Sequence, residues 1–286
     1  MKLTRRNFIT TTAALGAGSA FTGIEAAAPA ARAAVEETTA QAARYFAAKG
    51  YAPAEPAPLV TGHAFNGGLN YDESVHYAGK TRALYVVQPC ARVDDALEAG
   101  KPGTLPLFAI LGFLPASESV RPHRTTVLFE YLTGVANLDA KRLRITTTEL
   151  ARPLFPAFAG FGVREAQIRL RPLGEAKGDG AGSGWFAPRG HPSQPAYASY
   201  SVEYVMTTGV EIEIAEVAVE AEAPHHGGGS IGLDRVTMAR NDRVMSWQDR
   251  LPAFKLAVEQ QVRASGKPLP RGYYAILGLP QPVGRG

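Results

Sequence analysis

Along the chain, apolar positions cluster and alternate so as to predict a helical opening, a pair of apolar strands, a mixed middle, and three successive strands closing onto a helix. Residues 36–49 (EETTAQAARYFAAK) begin with acids, carry Ala43, Phe46 and Ala47 on one stripe and stop at Gly50, the pattern of a charge-favoured helix with a glycine terminus. Residues 82–89 (RALYVVQP) form an apolar run with β-branched and aromatic members, and LFAILGFL pairs back on it as an antiparallel strand. Residues 125–135 read as an amphipathic helix, 143–148 as a strand, 150–161 as a helix in spite of Pro153 and Pro156, and 167–171 (QIRLR) as a half-exposed strand. The segment GEAKGDGAGSGWFAPRGHPSQP has no periodicity and reads either as a lid or as a disordered excursion.

The last third carries the clearest pattern. Ala198, Tyr200, Val202, Tyr204 and Met206 share one face of a strand. In residues 210–222 (VEIEIAEVAVEAE), Val210, Ile212 and Ile214 have one parity and Val217 and Val219 the other, which predicts a β-bulge near Ala215 or Glu216. Glu211 and Glu213 share a face, either a solvated one or one that aims a carboxylate at an amino group. The run GGGSIGLDRVTMAR (227–240) then turns a strand into a helix, with helical residues again at 247–264. The sum is an α+β fold, an antiparallel β-sheet flanked by helices, without internal repeats.

The ends change the picture of where the protein works. The chain opens MKLTRRNFITTTAALGAGSA, with Arg5 and Arg6 ahead of a mildly apolar run and the small-residue site Ala31-Arg32-Ala33, which reads as a twin-arginine export signal over residues 1–33. A membrane anchor is the alternative, weakened by the Thr and Gly that interrupt the run. Residues 34–265 would then form the folded domain and 266–286 a Pro- and Gly-rich extension, with a periplasmic or secreted destination and the twin-arginine translocase as a partner. Cys90 is the single cysteine, so an intramolecular disulfide is excluded; a small buried thiol is its ordinary reading. Of the formal charge of +4, Lys2, Arg5, Arg6 and Arg32 against Glu25 place +3 in the leader. No concentrated basic patch remains for a nucleic-acid backbone, and tRNA is not an expected partner.

Chemistry concentrates at two arginines. Arg92 follows the first apolar strand and Arg235 ends the glycine run; converging over one sheet face, with Gly229, Ser230 and Gly232 as a floor, they would suit a triphosphate and its base. A hairpin or packing glycine is the competing reading of that run. His63, His191, His225 and His226 could serve a metal-dependent hydrolase, but none has the helical i, i+4 spacing of a persuasive histidine pair, and no metal ligand is assigned.

The segments ARYFAAKGY, HAFNGGLN, YVVQPCARVDD, FEYLTGVANLDAKRLRITTTE and GGGSIGLDRVTMA, in that order over roughly residues 42–240, resemble the catalytic domain of class II aminoacyl-tRNA synthetases, most closely alanyl-tRNA synthetase. The stand-alone α subunit of bacterial glycyl-tRNA synthetase is a poorer second match. The resemblance implies a class II synthetase-like fold that activates a small amino acid with ATP and Mg2+ as its aminoacyl adenylate. It further implies Arg92 on the α-phosphate and carboxylate, Arg235 against the adenine and γ-phosphate, Phe108 in the cofactor site, and Asp234 holding Arg235 or the magnesium ion. Asn66 and the acids Glu211, Glu213 or Glu216 would face the amino acid. The chain differs at Ala109, where the family carries an acid, and at Gly228, where it carries the aspartate that holds the amino group; Ser230 replaces a glycine. These differences favour an exported pseudoenzyme or small-ligand-binding protein as the alternative. A homodimer is left open.

Overall fold

The computed structural model describes residues 21–56, 65–66, 83–92, 103–116, 123–180, 182–186, 197–219 and 228–246, with isolated positions at 251–252, 255–256 and 274. Arg5, Arg6 and the four histidines of the hydrolase reading lie outside these residues, as do most of the helix expected at 247–264 and most of the C-terminal extension. Among the described residues no helix is long and apolar enough to cross a membrane.

Helix α1 (Phe21–Ala48) extends well upstream of the expected start, running through the site at Ala33. The alanine-rich sequence there has a high helix propensity, so the acids at 36 and 37 fall inside the helix and do not begin it. Its end is as expected. Gly50 adopts φ +84°, its N–H bonds Ala47 O and the Tyr51 N–H bonds Phe46 O, both at 3.0 Å. This paired closure is completed by edge-on contact of the Phe46 and Tyr51 rings at 5.3 Å.

The sheet is large and mostly antiparallel. In chain order its strands are β1 (Ala52–Pro53), β2 (Phe65–Asn66), β3 (Leu84–Arg92), β4 (Leu107–Leu114), β5 (Leu143–Thr148), β6 (Ile168–Arg171), β7 (Trp185–Phe186), β8 (Tyr197–Val205), β9 (Glu211–Ala218) and β10 (Gly229–Gly232). The spatial order is β1-β3-β4-β10-β9-β8-β5-β6, with β2 paired to β3 and β7 to β8. Among the described strands, only β1 with β3 and β5 with β6 run parallel. The expected hairpin of β3 and β4 is present, and β3 continues to Arg92 where the sequence pattern ends the strand at 89. The expected bulge is also present: Val202 pairs Ala215 while Glu203 pairs Glu213, leaving Ile214 as the extra residue.

Helices cover one face. Phe46 of α1 meets Phe113 at 5.1 Å, and Phe158 of α3 (Phe155–Gly160) stands edge-on to Tyr200 at 5.1 Å. Helix α2 (His123–Phe129) continues into a π turn at Glu130–Val135, a widening that buries Tyr131 and Leu132 together. The helix expected at 150–161 is divided into a 3-10 segment, Glu149–Leu154, and α3, since Pro153 has no N–H for an α-helical bond. The aperiodic segment is structured at its start: α4 (Leu173–Asp179) and a turn through Gly182 and Gly184 lead into β7. The last described long helix, α5 (Leu233–Asn241), follows β10 without a loop.

β10 joins the two halves of the sheet, and its glycines make that possible. A Cβ at Gly228 would lie 2.0 Å from the Phe113 carbonyl oxygen, and one at Gly229 would lie 2.4 Å from the Phe113 ring and 2.8 Å from Val217. Gly229→Ala is therefore expected to cost on the order of 1–3 kcal/mol in chemical denaturation, and less in a Phe113→Leu background where the ring has receded. Equal costs in the two backgrounds would separate the glycine from Phe113.

Candidate functional site

The face of the sheet away from α1 and α3 is assembled by strand pairing. Antiparallel partners share a face, so the register places Ser230 of β10 beside Glu216 of β9, Glu216 beside Ser201 of β8, and Ser201 beside Thr146 of β5. Arg169 of β6 continues this polar row opposite Thr146. A second row holds Glu213, Glu203 and Arg144. Without the bulge, Glu213 and Glu216 would have opposite parity; the extra residue brings both to this face.

At one end of the face stands the arginine site. Gly232 ends β10 and caps α5, and Asp234 lies in the first helical turn, where a carboxylate is favoured. Asp234 is 0 % exposed, and its Oδ2 accepts the Ala109 N–H at 2.6 Å, tying α5 to β4. Arg235 lies back over the strand, its Cδ 3.4 Å from where a Gly232 Cβ would stand. Its Nε donates to Gly103 O at 3.1 Å and its guanidinium sits 5.1 Å from the centre of the Phe108 ring. A guanidinium lying over a ring leaves its outer face to stack on a further planar aromatic group.

At the other end the face is acidic and largely buried. Glu216, 7 % exposed, accepts from the Ser199 hydroxyl at 2.8 Å and from the Gly182 N–H at 3.1 Å, so the turn after α4 closes over it. Glu203 is 9 % exposed. Burial pushes its carboxyl up to about 8, reinforced by Glu213 and Glu211 and opposed by hydrogen bonding with Thr146 and by Arg169. Among the described residues no group of three acidic, histidine or cysteine side chains could hold a metal ion.

The expected site residues distribute as follows. Phe108, Gly232, Asp234 and Arg235 come together, with Ser230 on the same face. Gly229 has the other parity, and packing against Phe113 and Val217 accounts for it. Arg92 ends β3 opposite Phe65, two residues beyond Cys90, the β3 partner of Phe108, and Asn66 pairs Ala91. Glu213 is half-buried in the acidic part, whereas Glu211 is exposed and meets Arg169 at 3.3 Å. Cys90 is buried, in keeping with a structural thiol. The sequence reading overlooked Thr146, Ser199, Ser201 and Glu203. The available signal was small hydroxyl side chains alternating with apolar ones in YASYSVEYV, since a solvated strand face favours longer charged residues.

No family model matches the chain, and no curated protein matches it.

Because the folded Glu203 keeps a proton that the unfolded chain releases from about pH 4.5 upward, its contribution favours the folded state at low pH and is lost as pH rises towards 8. The unfolding free energy should fall by roughly 1–3 kcal/mol between pH 5 and pH 8, and Glu203→Gln should flatten that slope. Arg144, Arg169, Glu211 and Glu213 are the charged neighbours in both proteins. An unchanged slope in the variant would assign the pH dependence to other groups.

Proposed function

We propose that this chain is a class II synthetase-like adenylating domain, activating an amino-acid carboxylate with ATP. The observation that carries the reading is the Arg235 guanidinium over the Phe108 ring, at the junction of a glycine-rich strand and a helix on the face of an antiparallel sheet. The resemblance assigns Arg235, at the strand-to-helix step, to the adenine and γ-phosphate, and it keeps Phe108 in the cofactor site. In the reaction a carboxylate oxygen bonds to the α-phosphorus of ATP, the bond from that phosphorus to the β-bridging oxygen breaks, and pyrophosphate leaves with the electron pair. Arg235 holds the base in register with the face, and Arg92 would neutralise charge developing at the α-phosphate.

Magnesium does not fit the position that the resemblance gives it. Asp234 is fully buried and engaged by the Ala109 N–H, so its role is to orient α5 and thereby Arg235. No step of this proposal is routed through a metal. The small-amino-acid substrate, passage to an acceptor other than tRNA, and export through the twin-arginine route belong to the same reading.

A non-catalytic binding protein with this face is the second reading, favoured by Gly228. The position has no room for the amino-group-binding aspartate of the resembling enzymes, because even a Cβ would strike the Phe113 carbonyl.

Purified full-length protein should catalyse amino-acid-dependent exchange of pyrophosphate into ATP, and Arg235→Ala should lower kcat/KM by about 100-fold or more. Absence of exchange with every amino acid tried, alongside tight binding of a non-hydrolysable aminoacyl-adenylate analogue in calorimetry, would establish the binding-protein reading instead.

A further inference from the structure

We propose that the acidic end of the sheet face, between β8 and β9, is a subsite for a side-chain ammonium group, so that the ligand is a diamino acid. The proposal rests on the reading of Phe108 and Arg235 as the nucleotide end, and it adds the class of amino acid. Ser201 is 0 % exposed and its hydroxyl has no hydrogen-bond partner among the described residues; Oε2 of Glu203 is likewise buried and unpartnered. Register places Ser201 between Glu216 and Thr146 and places Glu203 beside Glu213, so both orphaned groups belong to the carboxylate-lined face. Buried polar groups are ordinarily satisfied, and two left unpartnered on one acidic face call for a donor that also carries positive charge.

An ammonium group meets those needs. It has three donors and no acceptor, it can address a hydroxyl and two carboxylates at once, and it requires no compact ligand cage of the kind a metal ion needs. Protonation of Glu203 has the same cause: burial beside Glu213 and Glu211 leaves negative charge under-compensated.

Distance separates this group from an α-amino group. From β4, which carries Phe108, the sheet steps through β10 to β9 and then to β8. At about 4.8 Å per strand, β9 lies roughly 10 Å and β8 roughly 14 Å across the sheet from β4, and Glu216, level with Gly112, is also four residues along the strands from Phe108. With Glu216 on β9 taking the α-amino group, Ser201 and Glu203 on β8 lie one strand further from Phe108. A side chain whose terminal nitrogen stands about one strand spacing beyond the α-amino group would span the two. L-Ornithine has that form, and norleucine is its uncharged counterpart, with a methyl group in place of the ammonium.

Calorimetry on the full-length protein without ATP, using L-ornithine, L-norleucine and L-alanine, tests the subsite. Ornithine is expected to bind at least tenfold more tightly than either, and Glu203→Gln to reduce that preference to threefold or less. Glu213→Gln, altering a half-buried side chain, should reduce it in the same direction and serves if Glu203→Gln fails to fold. Equal affinity for ornithine and norleucine, no binding of ornithine, or a preference that survives the foldable variants would overturn the subsite. The two readings fail separately. An ornithine preference without pyrophosphate exchange would sustain the subsite and defeat the adenylation reading, whereas exchange with alanine and no ornithine preference would do the reverse.

Discussion

The close approach of β10 to β4 is the constraint on which the rest of the structure depends. Four residues of strand connect the N-terminal hairpin of the sheet to its C-terminal strands, and they fit only because Gly228 and Gly229 have no side chains to meet the Phe113 carbonyl, the Phe113 ring and Val217. From that contact the chain passes directly into α5, where the buried Asp234 takes the backbone N–H of Ala109 on the same neighbouring strand. Packing and a charge-assisted hydrogen bond thus hold the strand-to-helix junction at two successive points. Arg235, the next residue, inherits its place over Phe108 from both.

This arrangement also explains why position 228 is a glycine. Gly228 is a steric requirement of this backbone, and the negative charge of the face comes from the neighbouring strands β8 and β9. Glu216, Glu213 and Glu203 reach the face because β9 contains one extra residue, and the turn after α4 closes over Glu216 through the Gly182 N–H. The bulge therefore has a chemical consequence: it gathers carboxylates that a regular strand would divide between core and face. Their burial raises the proton affinity of Glu203, a destabilising element that the large apolar core on the helical face can carry.

Much of this was legible in the chain, and the pattern of success is physical. The Gly50 helix stop, the β3 and β4 hairpin and the bulge in β9 all rest on local periodicity or a local backbone requirement, and each is present. The start of α1 was misplaced because acids at 36 and 37 resemble a helix N-terminus while the alanines before them continue the helix. In the aperiodic segment, α4 and the Gly182 turn were hidden because they are organised by contact with Glu216 and the β5 backbone at Thr147, both distant in sequence.

By itself the sequence determined the longer strands with their apolar faces, the stop of α1, and the joining of a glycine strand to an arginine-bearing helix, since these follow from the preferences of neighbouring residues. Tertiary structure decided which strands lie side by side, and hence that Phe108 meets Arg235 and that Ser201 lies beside Glu216. It also decided the meaning of the glycines, two serving close packing and Gly232 letting Arg235 lie down over the strand. These outcomes depend on pairing between residues far apart in the chain, and no local preference of either partner encodes the other.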